Sequence, residues 1–311
     1  MNRMSKKHIS HLKVIFYLFI LDLIIVWIIV LLFSAPAGKK PLFAKIPSDE
    51  TLNLENKDPI SQREIVDAYN FDKDYDFKPV EQRPYSVRVP ILTYHHVAPL
   101  PSSRSSRPYF VSPEMFEKQM KYLDKKHYKS LTPIEFYDLL QLGKNPQQKS
   151  VMITFDDGNY NNYEYAYPIL KKYDFVGVFY IVSDKIGIPI AALQEMSQNG
   201  MIIESHSATH IDLIPVTDAA TLSSEITSSK YKIQYLTGRT ITSFSYPGCG
   251  SNGNVVSTVA ASGYLFAVSC GKSIDHSYYG RYGLSRMHAY SNLENFKKIL
   301  SGIWEVTYDY E

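Results

Sequence analysis

Two adjacent carboxylates and a pair of histidines are the residues of this sequence best equipped for chemistry. Asp156 and Asp157 stand side by side in VMITFDDGNYNN, residues 151–162, behind an apolar run and ahead of a glycine. Neighbouring carboxylates repel, and loss of water makes the repulsion worse, so the pair needs a positive partner. His206 and His210 lie four apart in SHSATH, just after the apolar stretch MIIE. On a helical turn that spacing puts both imidazoles on one face, within reach of one ion. Two imidazoles and one carboxylate form a catalytic zinc set with a fourth position open to water, and the second aspartate then stays unliganded beside that water. Each motif alone has a plainer explanation, an Asx-type turn closed by glycine or two surface histidines. Their conjunction at the ends of two strands favours the ion.

Those strands belong to a regular alternation. Apolar or β-prone runs at residues 89–97, 151–155, 177–182, 201–204, 241–246 and 264–269 predict strands. Between them, Ser112–Pro113 opens a helix with Phe116, Met120 and Leu123 on one face, and Thr132, Pro133 and Glu135 form a capping box for a second through Leu140. Further helices are predicted at about 162–173, 191–199, 217–236, 254–262 and 293–300. This order argues for an α/β fold of parallel βα units closed or partly closed into a barrel. Chemistry then gathers at the C-terminal strand ends, which carry Asp156–Asp157, His206–His210 and the run Tyr94, His95 and His96. For that last run a contact to substrate, or support of the ion's ligands, competes with simple packing, because a third pair of ligands would overfill the site. The 25 tyrosines offer flat rings that stack on pyranose faces, although most must serve as filler.

The rest of the chain frames this domain. Residues 14–33 are nearly all apolar and, as a helix of about 30 Å, match a membrane's hydrocarbon core; the run is too long for an ordinary cleaved signal. The expected organisation is a cytoplasmic tail at 1–13, a membrane anchor at 14–33, an extracellular linker at 34–88 and a catalytic domain at 89–311. A net charge of +2, from 33 basic and 31 acidic residues, supplies no field for nucleic acid, which excludes that class. Cys249 and Cys270 lack the spacing of a zinc framework. A disulfide and two buried thiols remain open for them.

TFDDG at 154–158, SHSATH at 205–210, FSYPGCG at 244–250 and LSRMHAY at 284–290, together with ILTYHHV upstream, stand in the order and rough spacing of the polysaccharide deacetylase family, carbohydrate esterase family 4, which the chain resembles over about residues 89–300. The resemblance implies a distorted (β/α) barrel that removes acetyl groups from N-acetylglucosamine polymers with one divalent metal. Zinc is the expected ion, and the same donors accept cobalt, nickel or iron. Carried over, Asp157, His206 and His210 are ligands, Asp156 the general base and His288 the general acid. The oxyanion falls near the Gly248 N–H in the third motif, beside Tyr246.

Two places depart from the family pattern. Ser245 and Gly248 stand where the third motif has an Arg and an aromatic, so an Arg that orients the base is missing, and Arg286 is its candidate replacement. The fourth motif is reduced to Asp275 as a remnant. The YHHV start and the altered third motif resemble the branch acting on exopolysaccharide such as poly-β-1,6-N-acetylglucosamine. Alternatives are a peptidoglycan deacetylase, an esterase for O-acetyl groups, and a catalytically silent glycan-binding module. Expected partners are the polysaccharide, the membrane through the anchor, and polysaccharide synthesis or export machinery.

Overall fold

The structure, a computed structural model, describes residues 86–303. The predicted anchor at 14–33 and nearly all of the linker lie outside the described residues, among which no helix is long and apolar enough to cross a membrane.

Seven strands pair in parallel and in chain order: β1 (Ile91–Tyr94), β2 (Ser150–Phe155), β3 (Gly177–Ile181), β4 (Ile202–Ser205), β5 (Ser243–Ser245), β6 (Phe266–Cys270) and β7 (Leu284–His288). The ring closes because β1 bonds to β2 on one side and to β7 on the other. The seam between β4 and β5 is thin, with the single register pair Ser205 and Phe244. A barrel strand is covered on both faces, which is why all six residues of β2 are buried and its sequence is continuously apolar or small.

Alternation sorts the side chains. Ile91, Met152, Val178, Tyr180, Phe266, Val268 and Leu284 form the inner cluster, joined by Phe136 and Leu140 from the end where the strands begin. Leu92, Ile153, Phe155, Phe179, Ile203, Phe244 and Met287 have the opposite parity and pack under the helices.

The helices are α1 (Pro113–Lys125), α2 (Pro133–Leu142), α3 (Tyr167–Lys172), α4 (Ile190–Gln198), α5 (Ala219–Ser223), α6 (Ser229–Thr237), α7 (Gly253–Ala261) and α8 (Leu293–Leu300). Ser112 caps α1 by accepting from the Met115 N–H at 3.2 Å, and Thr132 with Glu135 completes the capping box of α2. Two helices predicted as continuous begin or break with a wide π turn, at Asn162–Ala166 before α3 and at Ser224–Ser228 between α5 and α6. In the first, Pro168 has no N–H for the carbonyl four residues back, so the regular ladder cannot run through. Cys249 and Cys270, with Cα atoms 5.2 Å apart, form a disulfide that ties the turn after β5 to the end of β6.

Candidate metal centre

The rim formed by the C-terminal strand ends brings the two opening motifs together. Asp157 follows β2, and His206 and His210 follow β4. Asp157 Oδ1 lies 3.5 Å from His206 Nε2 and 3.3 Å from His210 Nε2, and one ligand atom from each residue falls within 4.8 Å of the others. His206 is buried and its Nδ1–H donates to the Ser245 carbonyl at 2.8 Å. That bond fixes the tautomer and leaves the Nε2 lone pair facing Asp157. Two imidazole nitrogens and a carboxylate on one point suit a divalent ion such as zinc.

The backbone is bent to make this meeting. Asp157 has φ 72° and His210 φ 64°, in the left-handed region that costs a non-glycine residue about 1 kcal/mol or more. Strain at two of the three donors is held in place by other contacts: Ser207 Oγ accepts from the His210 N–H at 3.0 Å. Burial pushes the Asp157 carboxyl up, but hydrogen bonds from both histidines outweigh it and hold it below the usual carboxylate range. The Asp157 carboxylate in turn raises the His210 imidazole above its ordinary value.

Asp156 faces into the barrel and is only 3% exposed. Its positive partner is Arg286 on β7, equally buried, whose Nη1 and Nη2 donate to Oδ1 and Oδ2, each at 2.7 Å. Arg286 also donates to Ser245 Oγ at 2.8 Å, Thr154 Oγ1 at 3.2 Å and the Ser269 carbonyl at 3.2 Å. A guanidinium held by these bonds is fixed in orientation, and it fixes the carboxylate plane. Burial pushes the Asp156 carboxyl up, yet Arg286 foremost, together with His206 and His95, more than offsets this and keeps it below its ordinary value, hence ionised. Arg286 enters from the last strand and occupies the space beside Asp156 and Ser245, so the guanidinium absent from the third motif is supplied from elsewhere in the chain.

His288 ends β7 near His95, with ring centroids 5.7 Å apart, and Tyr290 packs on it at 5.3 Å. Its Nε2–H donates to the Pro108 carbonyl, and burial pushes the imidazole down to about 4, so in this state it is neutral at pH 7. The Nδ1 of His95 is buried and makes no hydrogen bond, the arrangement of an atom left for a ligand or water. Gly248 sits in the turn Pro247–Cys249 at φ 60°, where a Cβ would meet no atom.

Three expectations need correction. Tyr94 shares the parity of Leu92, points outward under α1, and donates its hydroxyl to Gln119 at 2.8 Å. Tyr246 shares the parity of Phe244, is buried, and donates its hydroxyl to the Tyr282 carbonyl at 2.8 Å and its N–H to the Val268 carbonyl. Neither is a rim contact. Asp275 lies at the other end of the barrel, in a short antiparallel pair with Val87–Arg88 and 3.6 Å from Arg88. His96 stays close to the rim but stacks on Phe110 at 4.3 Å and shares a hydrogen bond with Asn161.

One residue of consequence has no signal in the sequence. Glu225, in the wide turn before α6, accepts from the Ala208 and Thr209 N–H groups at 3.1 and 2.9 Å and from the Thr209 hydroxyl at 2.5 Å. It is buried and clamps the turn that carries His210. A carboxylate sixteen residues downstream in a run of serines and threonines reads as surface.

Comparison with known proteins agrees with this geometry. The family model described as polysaccharide deacetylase matches residues 143–267. YxkH of Bacillus subtilis (strain 168), assigned by name to the polysaccharide deacetylases, is 33% identical over 204 residues, covering 64% of this chain and 71% of that one. A poly-β-1,6-N-acetyl-D-glucosamine N-deacetylase of Staphylococcus aureus (strain N315) is 42% identical over 86 residues, 28% of this chain and 29% of its own. Among solved structures, the Streptococcus pyogenes deacetylase PplD in complex with acetate superposes with a TM-score of 0.65 at 25% identity, covering 70% of this chain and 99% of that one.

Proposed function

We propose, from the premise that the chain belongs to the polysaccharide deacetylase family, that it is an amide hydrolase freeing the nitrogens of a β-linked N-acetylglucosamine polymer from their acetyl groups. The observation that carries this reading is the convergence of Asp157, His206 and His210 beside an ionised, buried Asp156 held by Arg286. Asp157, His206 and His210 would hold the ion, zinc by preference. When bound, such an ion acidifies a water to a pKa of about 7 and polarises the acetyl carbonyl.

The chain's own residues supply the rest. Asp156 accepts the proton of the attacking water, and Arg286 keeps it ionised and oriented for that task. As the water oxygen bonds to the acetyl carbon, the carbonyl oxygen gains charge, and the Gly248 N–H is the donor assigned to it. His288, once released from Pro108 and protonated, gives its proton to the leaving nitrogen. The C–N bond breaks, and the products are acetate and a free amine.

The substrate is proposed as poly-β-1,6-N-acetylglucosamine, supported by the YHHV start and by the stretch shared with the Staphylococcus aureus enzyme. The catalytic domain is proposed to work outside the membrane, anchored by residues 14–33 with 34–88 as linker and alongside polysaccharide synthesis or export machinery. A disulfide at Cys249–Cys270 suits an oxidising exterior. A silent binding module loses its main motive, because Arg286 does stand against Asp156.

Acetate release by the full-length chain from purified poly-β-1,6-N-acetylglucosamine, from peptidoglycan and from a matched O-acetylated polymer tests the reading. Chelator-sensitive release from the first is expected. Release from peptidoglycan alone would replace the substrate, and none from any polymer with metal bound would overturn the enzyme.

A further inference from the structure

A tyrosine run that passes from the exposed Tyr160 through the part-buried Tyr163 to the buried Tyr167 leads away from the metal centre and takes no part in the chemistry above. Tyr160, Tyr163 and Tyr167 recur at helical spacing from the turn that follows Asp157 and Gly158. Their rings form a ladder. Tyr160 and Tyr163 have centroids 5.9 Å apart at 47°, and Tyr163 and Tyr167 lie 5.7 Å apart and nearly parallel at 16°. With Glu164, Pro168 and Lys171 they line a shallow, open surface groove of about 500 Å³, shaped for a chain lying along it.

The ladder is held in advance of any ligand. The Tyr163 and Tyr167 hydroxyls both donate to the Glu195 carboxylate, at 2.8 and 3.2 Å, and the Lys171 ammonium lies 5.2 Å from the Tyr167 ring centre. Ordering cost on binding is then reduced, because two of the three rings are already placed. The turn that bears Tyr160 is fastened to the rim. Asn159 and Asn162 donate to the His95 carbonyl at 3.2 and 2.9 Å, and Asn161 bonds the His96 ring at 3.0 Å. The groove therefore starts on a segment bolted to the same strand end as His95 and runs down α3.

A polymer whose one residue sits at the metal centre must lie across the surrounding surface. Pyranose rings present flat C–H faces with hydroxyls at the edge. The exposed Tyr160 ring and the part-exposed Tyr163 ring match the faces, with the buried Tyr167 backing them, and Glu164 and Lys171 at the groove edge match the hydroxyls. A carboxylate there also suits the free amine of a residue already deacetylated. We infer that the Tyr160–Tyr163–Tyr167 groove is a binding track for the stretch of N-acetylglucosamine polymer adjoining the residue that reacts. The inference rests on the proposed function and adds a site to it.

The test uses the full-length chain carrying Asp156→Asn, so that binding is read without turnover, and purified poly-β-1,6-N-acetylglucosamine as probe. Adding Tyr160→Ala is expected to weaken polymer binding about tenfold, the effect of one lost stacking partner, and adding Tyr160→Phe to leave it unchanged. In the otherwise wild-type chain, Tyr160→Ala should lower kcat/KM on the polymer by a like factor, whereas N-acetylglucosamine itself, which has no adjoining sugar to reach the track, should show no such loss. A Tyr160→Ala, Tyr163→Ala double variant should deepen the loss, and the single variant at the half-exposed Tyr160 stands alone if the double does not fold. Unchanged binding, equal losses on polymer and monosaccharide, or a shift in oligomeric state by light scattering in place of a binding loss would each overturn the track. If the wild type releases no acetate but Tyr160→Ala still weakens polymer binding, the catalytic reading falls and the track stands. If the wild type releases acetate and polymer binding is indifferent to Tyr160, the track falls and the catalytic reading stands.

Discussion

Replacing Arg286 with Met should expose how much Asp156 depends on its partner. Both side chains are almost wholly buried and share two hydrogen bonds of 2.7 Å. Breaking a buried pair by removing one partner leaves an uncompensated charge and costs about 3 to 5 kcal/mol. The Ser269 carbonyl and Thr154 lose a donor as well, so the upper part of that range is expected. The loss should depend on pH. In the wild type the Asp156 carboxyl is held below its ordinary value, so its contribution is present above the unfolded value and fades as pH falls. In Arg286→Met burial dominates and raises the carboxyl, so that variant weakens as pH rises. The gap between the two, read by urea denaturation followed by far-ultraviolet circular dichroism, should be widest at about pH 8 and narrow toward about pH 4. Asp156→Asn combined with Arg286→Met should be more stable than Arg286→Met alone, since no buried charge remains. A loss under about 1 kcal/mol, or strictly additive single and double variants, would mean that Arg286 does not hold the Asp156 charge in the folded protein.

Glu225→Gln should lower metal affinity about 10- to 100-fold in a competition titration against a chelating dye, with little change in Tm, because it loosens the turn carrying His210. His276 is buried with its ring bonded to the Val89 carbonyl at 3.0 Å, and burial pushes it down to about 4. Its neutral form therefore stabilises the fold above its unfolded value near about 6.5, and this is lost as pH falls toward about 4, by up to roughly 3 kcal/mol. The difference between wild type and His276→Gln in denaturation midpoint across that window isolates the effect. Replacing Cys249 and Cys270 together with Ser opens a loop of sequence separation 21 and should cost roughly 3 kcal/mol in non-reducing denaturation.

The barrel is legible in the sequence because its strands are short apolar runs separated by capped helices. Ser112, Thr132 and Glu135 announce their helices through side-chain geometry that is local in sequence. The candidate metal triad is legible for a different reason, since the donor types and their places at strand ends limit where they can meet. Pairings across the barrel are not local. The contact between Arg286 and Asp156 spans 130 residues and is reached only through the Arg missing from the third motif, while the clamp of Glu225 on Thr209, 16 residues apart, has no local pattern that states it. Tyr94 and Tyr246 look like rim residues from their motifs, although strand parity already puts them elsewhere: Leu92 and Phe244 have the same parity and are plainly core. Asp275 belongs to a motif whose chain here turns back toward the start of the barrel.

Asp156 is proposed to do the proton chemistry while Asp157, His206 and His210 hold the ion. Bound metal and acetate release measured on one preparation of full-length Asp156→Asn separate the two roles directly. Metal content equal to wild type is expected, with acetate release from poly-β-1,6-N-acetylglucosamine lowered by about 10²- to 10⁴-fold. Release near the wild-type rate with metal in place would contradict it.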